Sequence, residues 1–409
     1  MPFKYVFTAF LIMSIACMFA TDVTVKRDRT YLRSGKGSYC KVLTQVPINT
    51  KLRIIEQDDT WLQVSYNAQT GYISETSTQE QKPRNDAFAK MSKTTGSTVS
   101  KHSISAGVKG FGEKFSSDFK GNSRFIDIAL NDQIDQDMYM KFYQSTYAEA
   151  NPKSFRKTFQ LPKRTEPDFY SEAQEGFGLG IASVIAAQGI CQNDAIQKYV
   201  NYVGNIVVDA SDVPDISFKF YVLDIPAANA YACPGGYIFV TKGMLGVIQN
   251  EAELAFVLAH EIAHVSGFHG IIEAKKRENH IAAEDAFDML DEETPDAFSD
   301  SGKETESELE AEIYSMFETL IEGRLDQYEQ EADRNGILYM ARSGYNPQSA
   351  VELLQRLYQQ SPKSNNQHYR PDSIRDRLSV VKKSVLPYSG TRLRFFDFKD
   401  RWQTNTRRL

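Results

Sequence analysis

Cysteine is scarce in this 409-residue chain, with only four. Cys17 falls in an apolar N-terminal stretch, which leaves Cys40, Cys191 and Cys233. Three scattered thiols exclude a disulfide framework; a single bridge, such as Cys191 to Cys233, would need an oxidising compartment, and nothing in the sequence specifies it. A basic excess is also missing. Lys and Arg number 47 against 53 Asp and Glu, a net charge of −6, which argues against a protein that tracks nucleic-acid phosphates. Beyond residue 20 no apolar run reaches the roughly 18 residues of a membrane span, so the remaining chain reads as soluble or peripherally attached. Its 41% hydrophobic content is that of an ordinary globular protein, and the length allows two or three domains.

The N-terminus carries Lys4, an apolar stretch from Tyr5 to Phe19, then Ala20 and polar Thr21-Asp22. Residues 1–20 therefore read as a secretion signal, with a retained anchor as the alternative. Lipid attachment at Cys17 is the weaker reading, because Ser14 stands where such a site has Leu. Residues 21–78 look all-β. Lys51–Glu56, Trp61–Tyr66 and Gly71–Ser74 are strand-like runs separated by turn residues, and Leu62, Val64 and Tyr66 alternate with polar neighbours. Residues 79–124 are rich in Lys, Ser, Thr and Gly and read as a linker. The Gly107–Gly112 run within it lacks the strand and helix of a phosphate loop.

From Phe125 onward helical periods dominate: one runs through Ile128, Leu130, Ile134, Met138 and Phe142, and others span Glu172–Ala187 and Asp194–Val208. Strands are expected at Ser217–Leu223 and Gly236–Val240, with Asn229–Gly236 as a loop between them. The acidic stretch of about 284–312 reads as a solvated surface insertion or a lid. His269 and His280 lie off any i, i+4 register with the motif below and count as bystanders.

The chemistry concentrates in His260-Glu261-Ile262-Ala263-His264. On a helix, residues four apart share a face, so two imidazoles can aim at one point and suit a zinc ion, with Glu261 poised as general base. Asn250 with Glu253 reads as an N-cap and capping-box partner, and Gly267 or Gly270 as the stop. A helix apolar on nearly every side is a buried one. A zinc site of this kind needs a third protein ligand, and a second helix, about Arg324 to Ser343, offers carboxylates. Glu329 and Asp333 are four apart there, so one could bind metal while the other holds an imidazole. The strand at Gly235, Gly236, Tyr237 and Ile238, just ahead of the metal helix, would hold substrate backbone if it lies at the sheet edge.

The H-E-x-x-H block, the Asn229–Val240 stretch, Glu329-Gln330-Glu331-Ala332-Asp333 and Ala341–Pro347 together resemble the HtpX-like and CAAX-prenyl-protease-related zinc metallopeptidases, in particular their soluble, exported BepA-like branch. The likeness covers roughly residues 170–385. Tyr31–Gly35, Trp61 and Gly71-Tyr72-Ile73 resemble the bacterial SH3-like domain, whose members often bind cell-wall or peptide ligands. The first resemblance implies one zinc per chain, Glu329 as third ligand beside His260 and His264, and Asp333 as the residue that orients an imidazole. Glu331 is the rival ligand, but it points about 160° away around the helix. Relatives carry a Thr-His-Pro block where this chain has Tyr369-Arg370-Pro371; Arg370 could stabilise an oxyanion but cannot bind zinc, and His368 is the nearby histidine. Arg377 is expected in a structural salt bridge.

The fold class expected is α+β: a mainly helical zincin-like (gluzincin) metallopeptidase domain with a small sheet over 125–409, preceded by a small all-β SH3-like barrel. The function expected is an exported, periplasmic or envelope-associated zinc endopeptidase acting on extended polypeptides, with envelope proteins or cell wall bound through the SH3-like module. The rivals are a largely non-catalytic binding or quality-control factor built on the same fold, and a cell-wall amidase.

Overall fold

The computed structural model describes residues 22–27, 30–58, 60–79, 121–162, 172–270, 272, 326–360 and 371–407. The expected signal with Cys17, most of the linker, the acidic insertion with His280, and both His368 and Arg370 lie outside these residues.

The N-terminal unit is a six-stranded antiparallel sheet in the order β1-β4-β5-β6-β2-β3, comprising β1 (Asp22–Thr24), β2 (Thr30–Arg33), β3 (Val42–Val46), β4 (Lys51–Asp58), β5 (Trp61–Tyr66) and β6 (Gln69–Ser74). The β5–β6 hairpin turns on Asn67 and Ala68, both with positive φ (49° and 61°), the mirror-turn geometry that suits two-residue hairpins. Alternation buries Leu62 and Val64 with Val25, Leu32, Val46, Leu52 and Ile73, a core separate from that of the rest of the chain.

The remainder is mostly helical. Helices α1 (Ser123–Asn131), α2 (Gln136–Thr146) and α3 (Pro152–Thr158) lead to α4 (Glu172–Ala186) and α5 (Asp194–Ala210). Of the period read through Ile128, Leu130, Ile134, Met138 and Phe142, Leu130, Ile134 and Phe142 pack against the core and the other two do not. Ile128 and Met138 are exposed, whereas Phe125, Ile126, Ala129 and Tyr139 are buried, because the chain breaks between α1 and α2 and resets the helical phase. Then come β7 (Lys219–Leu223), β8 (Ala230–Cys233), β9 (Tyr237–Thr241), α6 (Lys242–Val247), α7 (Glu251–Ser266), α8 (Asp326–Arg342), α9 (Gln348–Gln360), α10 (Pro371–Ser384) and α11 (Lys399–Thr406).

The sheet order β7-β9-β8 corrects one expectation. Strand β9 pairs parallel with β7 and antiparallel with β8, and all five of its residues are buried, so Tyr237 and Ile238 cannot sit at an edge. Gly235 and Gly236 are buried as well, in the turn joining β8 to β9. The outer strands are β7 and β8; β8 lies within the stretch read as a loop and packs against α7.

The two units are seated on one another. Asp215 of the helical part accepts from Arg27 Nη1 at 3.3 Å and Thr76 Oγ1 at 3.2 Å, while Arg33 Nη2 donates to Asp215 O and Ser217 Oγ, each at 3.2 Å. Tyr39 lies on Tyr139 with ring centroids 4.2 Å apart.

Candidate metal centre

Helix α7 forms where its signals predict. Asn250 Oδ1 accepts the Glu253 N–H at 2.9 Å, and the Glu253 carboxylate accepts the Gln249 N–H at 2.8 Å, one residue before the expected position. Every residue from Glu251 to Ser266 is buried, so the helix runs through the core rather than over it. Burying sixteen residues on all sides takes neighbours on all sides, and α5, α8, α9, α11 and β8 supply them.

Helix α8 crosses α7 at close range. A Cβ on Gly336 would lie 3.0 Å from the His260 amide nitrogen, so the absence of a side chain there lets the helices approach. That approach carries the carboxylates of α8 onto the imidazoles of α7.

Three donors converge. His260 Nε2 and His264 Nε2 stand 3.0 Å apart, and Glu329 offers Oε2 at 3.3 Å to the first and Oε1 at 3.3 Å to the second. A zinc ion held tetrahedrally with bonds of about 2.0–2.1 Å keeps its ligands roughly 3.3–3.4 Å apart, so the trio has the spacing of a zinc ligand set. Among the described residues it is the one group of three His, Cys, Asp or Glu side chains that can meet on an ion. His260 and His264 are buried, and the Glu329 side chain, at 17% exposure, is the outermost of the three.

The surroundings fix each donor. His260 Nδ1 lies 3.0 Å from Asp333 Oδ1, so with Nε2 turned to the ligand point the other nitrogen donates to a fully buried carboxylate. Arg377 grips both acids of α8: its Nη1 is 2.9 Å from Glu329 Oε2, and its Nη2 and Nε are 2.8 and 2.9 Å from the two Asp333 oxygens. Its salt bridge is thus part of the site. Burial works to raise the Glu329 carboxyl, but Arg377 and the two imidazoles outweigh it and hold the group well below the usual carboxylate range. Asp333 is likewise held down, against burial, by Arg377 and His260. Burial and Arg377 both oppose a charged His260, yet the Asp333 and Glu329 carboxylates push it up to about 9. The geometry therefore favours positive charge between the imidazoles and Glu329, whether a proton or a metal cation.

Glu261 is buried at 7% exposure, next to His260 on α7. Its charge helps raise the Tyr231 phenol on β8, after the larger effect of burial. Glu331, the rival ligand, is half exposed and stands 3.7 Å from His269 Nε2, away from the ligand point. His269, read as a bystander, is buried with Nδ1 2.9 Å from His264 Nδ1. Its distance along the chain hid it, since Gly267 ends the helix and the following turn brings the ring back.

Residues 194–368 match the model of peptidase family M48, and residues 28–78 match that of the bacterial SH3 domain. The beta-barrel assembly-enhancing protease of Yersinia pestis is 30% identical over 213 residues, covering 48% of this chain and 42% of that protein. The Escherichia coli protein of the same name is 28% identical over 183 residues, 44% of this chain and 35% of that one. Mitochondrial metalloendopeptidase OMA1 of Schizosaccharomyces pombe is 31% identical over 127 residues, 30% of this chain and 35% of that one. The chain spans less than half the length of these relatives. Among the described residues no helix is long and apolar enough to cross a membrane.

Proposed function

Because this chain joins a bacterial SH3 domain to a peptidase family M48 domain, we propose that it is a zinc-dependent endopeptidase, with one zinc held by His260, His264 and Glu329. The observation that carries the reading is the convergence of those three donors at zinc spacing. Zinc bound there supplies Lewis-acid activation of water and of a scissile carbonyl. Glu261 takes the proton of the attacking water and returns it to the departing amine. Asp333 and Arg377 hold the donors in place throughout, so little reorganisation accompanies reaction.

Substrates are polypeptides. They are envelope proteins met in a quality-control role, in line with the relatives named beta-barrel assembly-enhancing protease; the protein is exported to the periplasm or envelope, and its SH3-like module binds a cell-wall or envelope ligand. The chain divides into a signal at 1–20, a module at 21–78, a linker at 79–124 and a peptidase domain at 125–409, a division consistent with the two family matches. Arg370 supplies positive charge to the oxyanion of the tetrahedral intermediate.

The test combines metal analysis with one variant. Purified protein should hold close to one zinc per chain, and Glu261→Gln should keep that zinc while losing about 10²–10⁴-fold in hydrolysis of an unfolded polypeptide. Protein without zinc, or a fully active Gln variant, would overturn the reading.

A further inference from the structure

Behind the two imidazoles of α7 stand different partners. His260 Nδ1 meets the Asp333 carboxylate at 3.0 Å, whereas His264 Nδ1 meets another imidazole, His269 Nδ1, at 2.9 Å. His269 is 1% exposed, its ring lies 4.8 Å from that of Tyr328, and its Nε2 faces Glu331 Oε2 at 3.7 Å.

The backbone is shaped to bring this ring back. His269 comes five residues after His264 and beyond the end of α7, so helical periodicity does not place it. Phe268 adopts φ 55°, the left-handed region that a bulky side chain takes up only under constraint. Gly267 leaves the space, because a Cβ there would sit 2.3 Å from His269 Nε2.

Zinc binding at His264 Nε2 then constrains where the protons lie. A neutral imidazole carries one N–H, and His264 can present a lone pair at Nε2 only when that proton is on Nδ1. The Nδ1–H must donate to His269 Nδ1, which is therefore the acceptor, and His269 keeps its own proton on Nε2, toward Glu331. The reverse arrangement, with His269 donating, would put the His264 proton on Nε2 and spoil the ligand. We infer that His269 is a positioning residue that fixes the metal-binding tautomer of His264, as Asp333 does for His260. The inference rests on the zinc reading above. Being neutral, His269 does this without adding charge to a pocket already crowded with Glu329, Asp333 and Arg377.

Zinc affinity, measured on the full chain by competition with a chromophoric chelator, tests it with two variants. His269→Phe keeps the ring on Tyr328 and fills the space but accepts no hydrogen bond. His269→Asn is smaller yet puts an oxygen near the place of Nδ1. A purely space-filling residue would be replaced better by Phe, a tautomer-fixing one by Asn. We expect zinc affinity to fall about 10–100-fold in the Phe variant and to stay within about threefold of wild type in the Asn variant. Unchanged affinity in the Phe variant, or a loss in the Asn variant as large as in Phe, would overturn the assignment of His269. If wild-type protein takes up no zinc, the zinc reading itself fails, and with it this inference. The melting temperature of the zinc-free forms shows separately whether either change disturbs the fold.

Discussion

The two ends of helix α7 bury the same kinds of groups to opposite purpose. At the N-terminal end Glu251, fully buried, accepts from Arg401, from Tyr199 Oη at 2.6 Å and from Tyr345 Oη at 2.7 Å; Glu253 beside it accepts both Arg356 nitrogens at 2.9 Å. Every charge there meets its opposite through hydrogen bonds, and the network is closed. At the other end Glu329 and Asp333 have Arg377, yet two imidazole nitrogens still face each other at 3.0 Å. Two lone pairs cannot rest there without a proton or a metal between them. Buried charge alone thus does not mark a functional site; what marks it is a set of donors from two helices converging on one point at the spacing of metal ligands.

The largest expected effect breaks the closed end. Glu251→Ala leaves Arg401 and two phenols buried without their acceptor, and should cost about 3–5 kcal/mol of stability in denaturant unfolding. Zinc affinity of the folded fraction should stay at the wild-type level. A joint loss of zinc affinity would show that the two ends are not independent.

A smaller effect is expected at the open end. Arg377→Met removes the group that holds both acids of α8, and should weaken zinc binding about 10–100-fold, read by chelator competition. Unaltered affinity would reduce Arg377 to the simple salt bridge expected from sequence.

The smallest belongs to a partly exposed counterpart. Asp58 at the end of β4 is ion-paired with Lys36 at 2.9 Å and with Lys153 of α3. Burial alone would raise its carboxyl, but Lys153 and Lys36 hold it down at about 2. A depressed carboxylate stabilises the fold above its unfolded pKa of about 3.9 and loses that contribution as pH falls toward 2. Because both side chains still reach solvent, at 34% and 20% exposure, screening limits the pair to under about 1 kcal/mol, so Lys36→Ala should lower stability at pH 7 by no more than that and by nothing measurable below pH 2 or in high salt. A larger loss in thermal melts would place this surface pair with the buried networks.

What could be read from the sequence divides along the same line as local and long-range structure. His260 and His264, the cap at Asn250, and the shared face of Glu329 and Asp333 all follow from the helical period, which is a property of neighbouring residues. The Leu62 and Val64 alternation in β5 is local in the same sense. Sheet order is not: whether Tyr237–Thr241 lies at an edge depends on β7 and on the short β8, and Ala230–Cys233 gave no strand signal beside Pro234 and two glycines. His269 was missed because a turn, rather than a period, returns it to His264. Arg377 was read as a salt bridge with no partner named, since the crossing of α10 and α8 that brings it to Asp333 is a tertiary contact.

Two nitrogens of α7 and one carboxylate of α8 are proposed to bind a single zinc. X-ray absorption at the zinc edge of the loaded protein addresses it most directly. The spectrum should show two imidazole nitrogens at about 2.0–2.1 Å and only oxygen in the remaining positions, and should change in Glu329→Gln. A sulfur shell near about 2.3 Å, or a spectrum unmoved by loss of the Glu329 carboxylate, would contradict it.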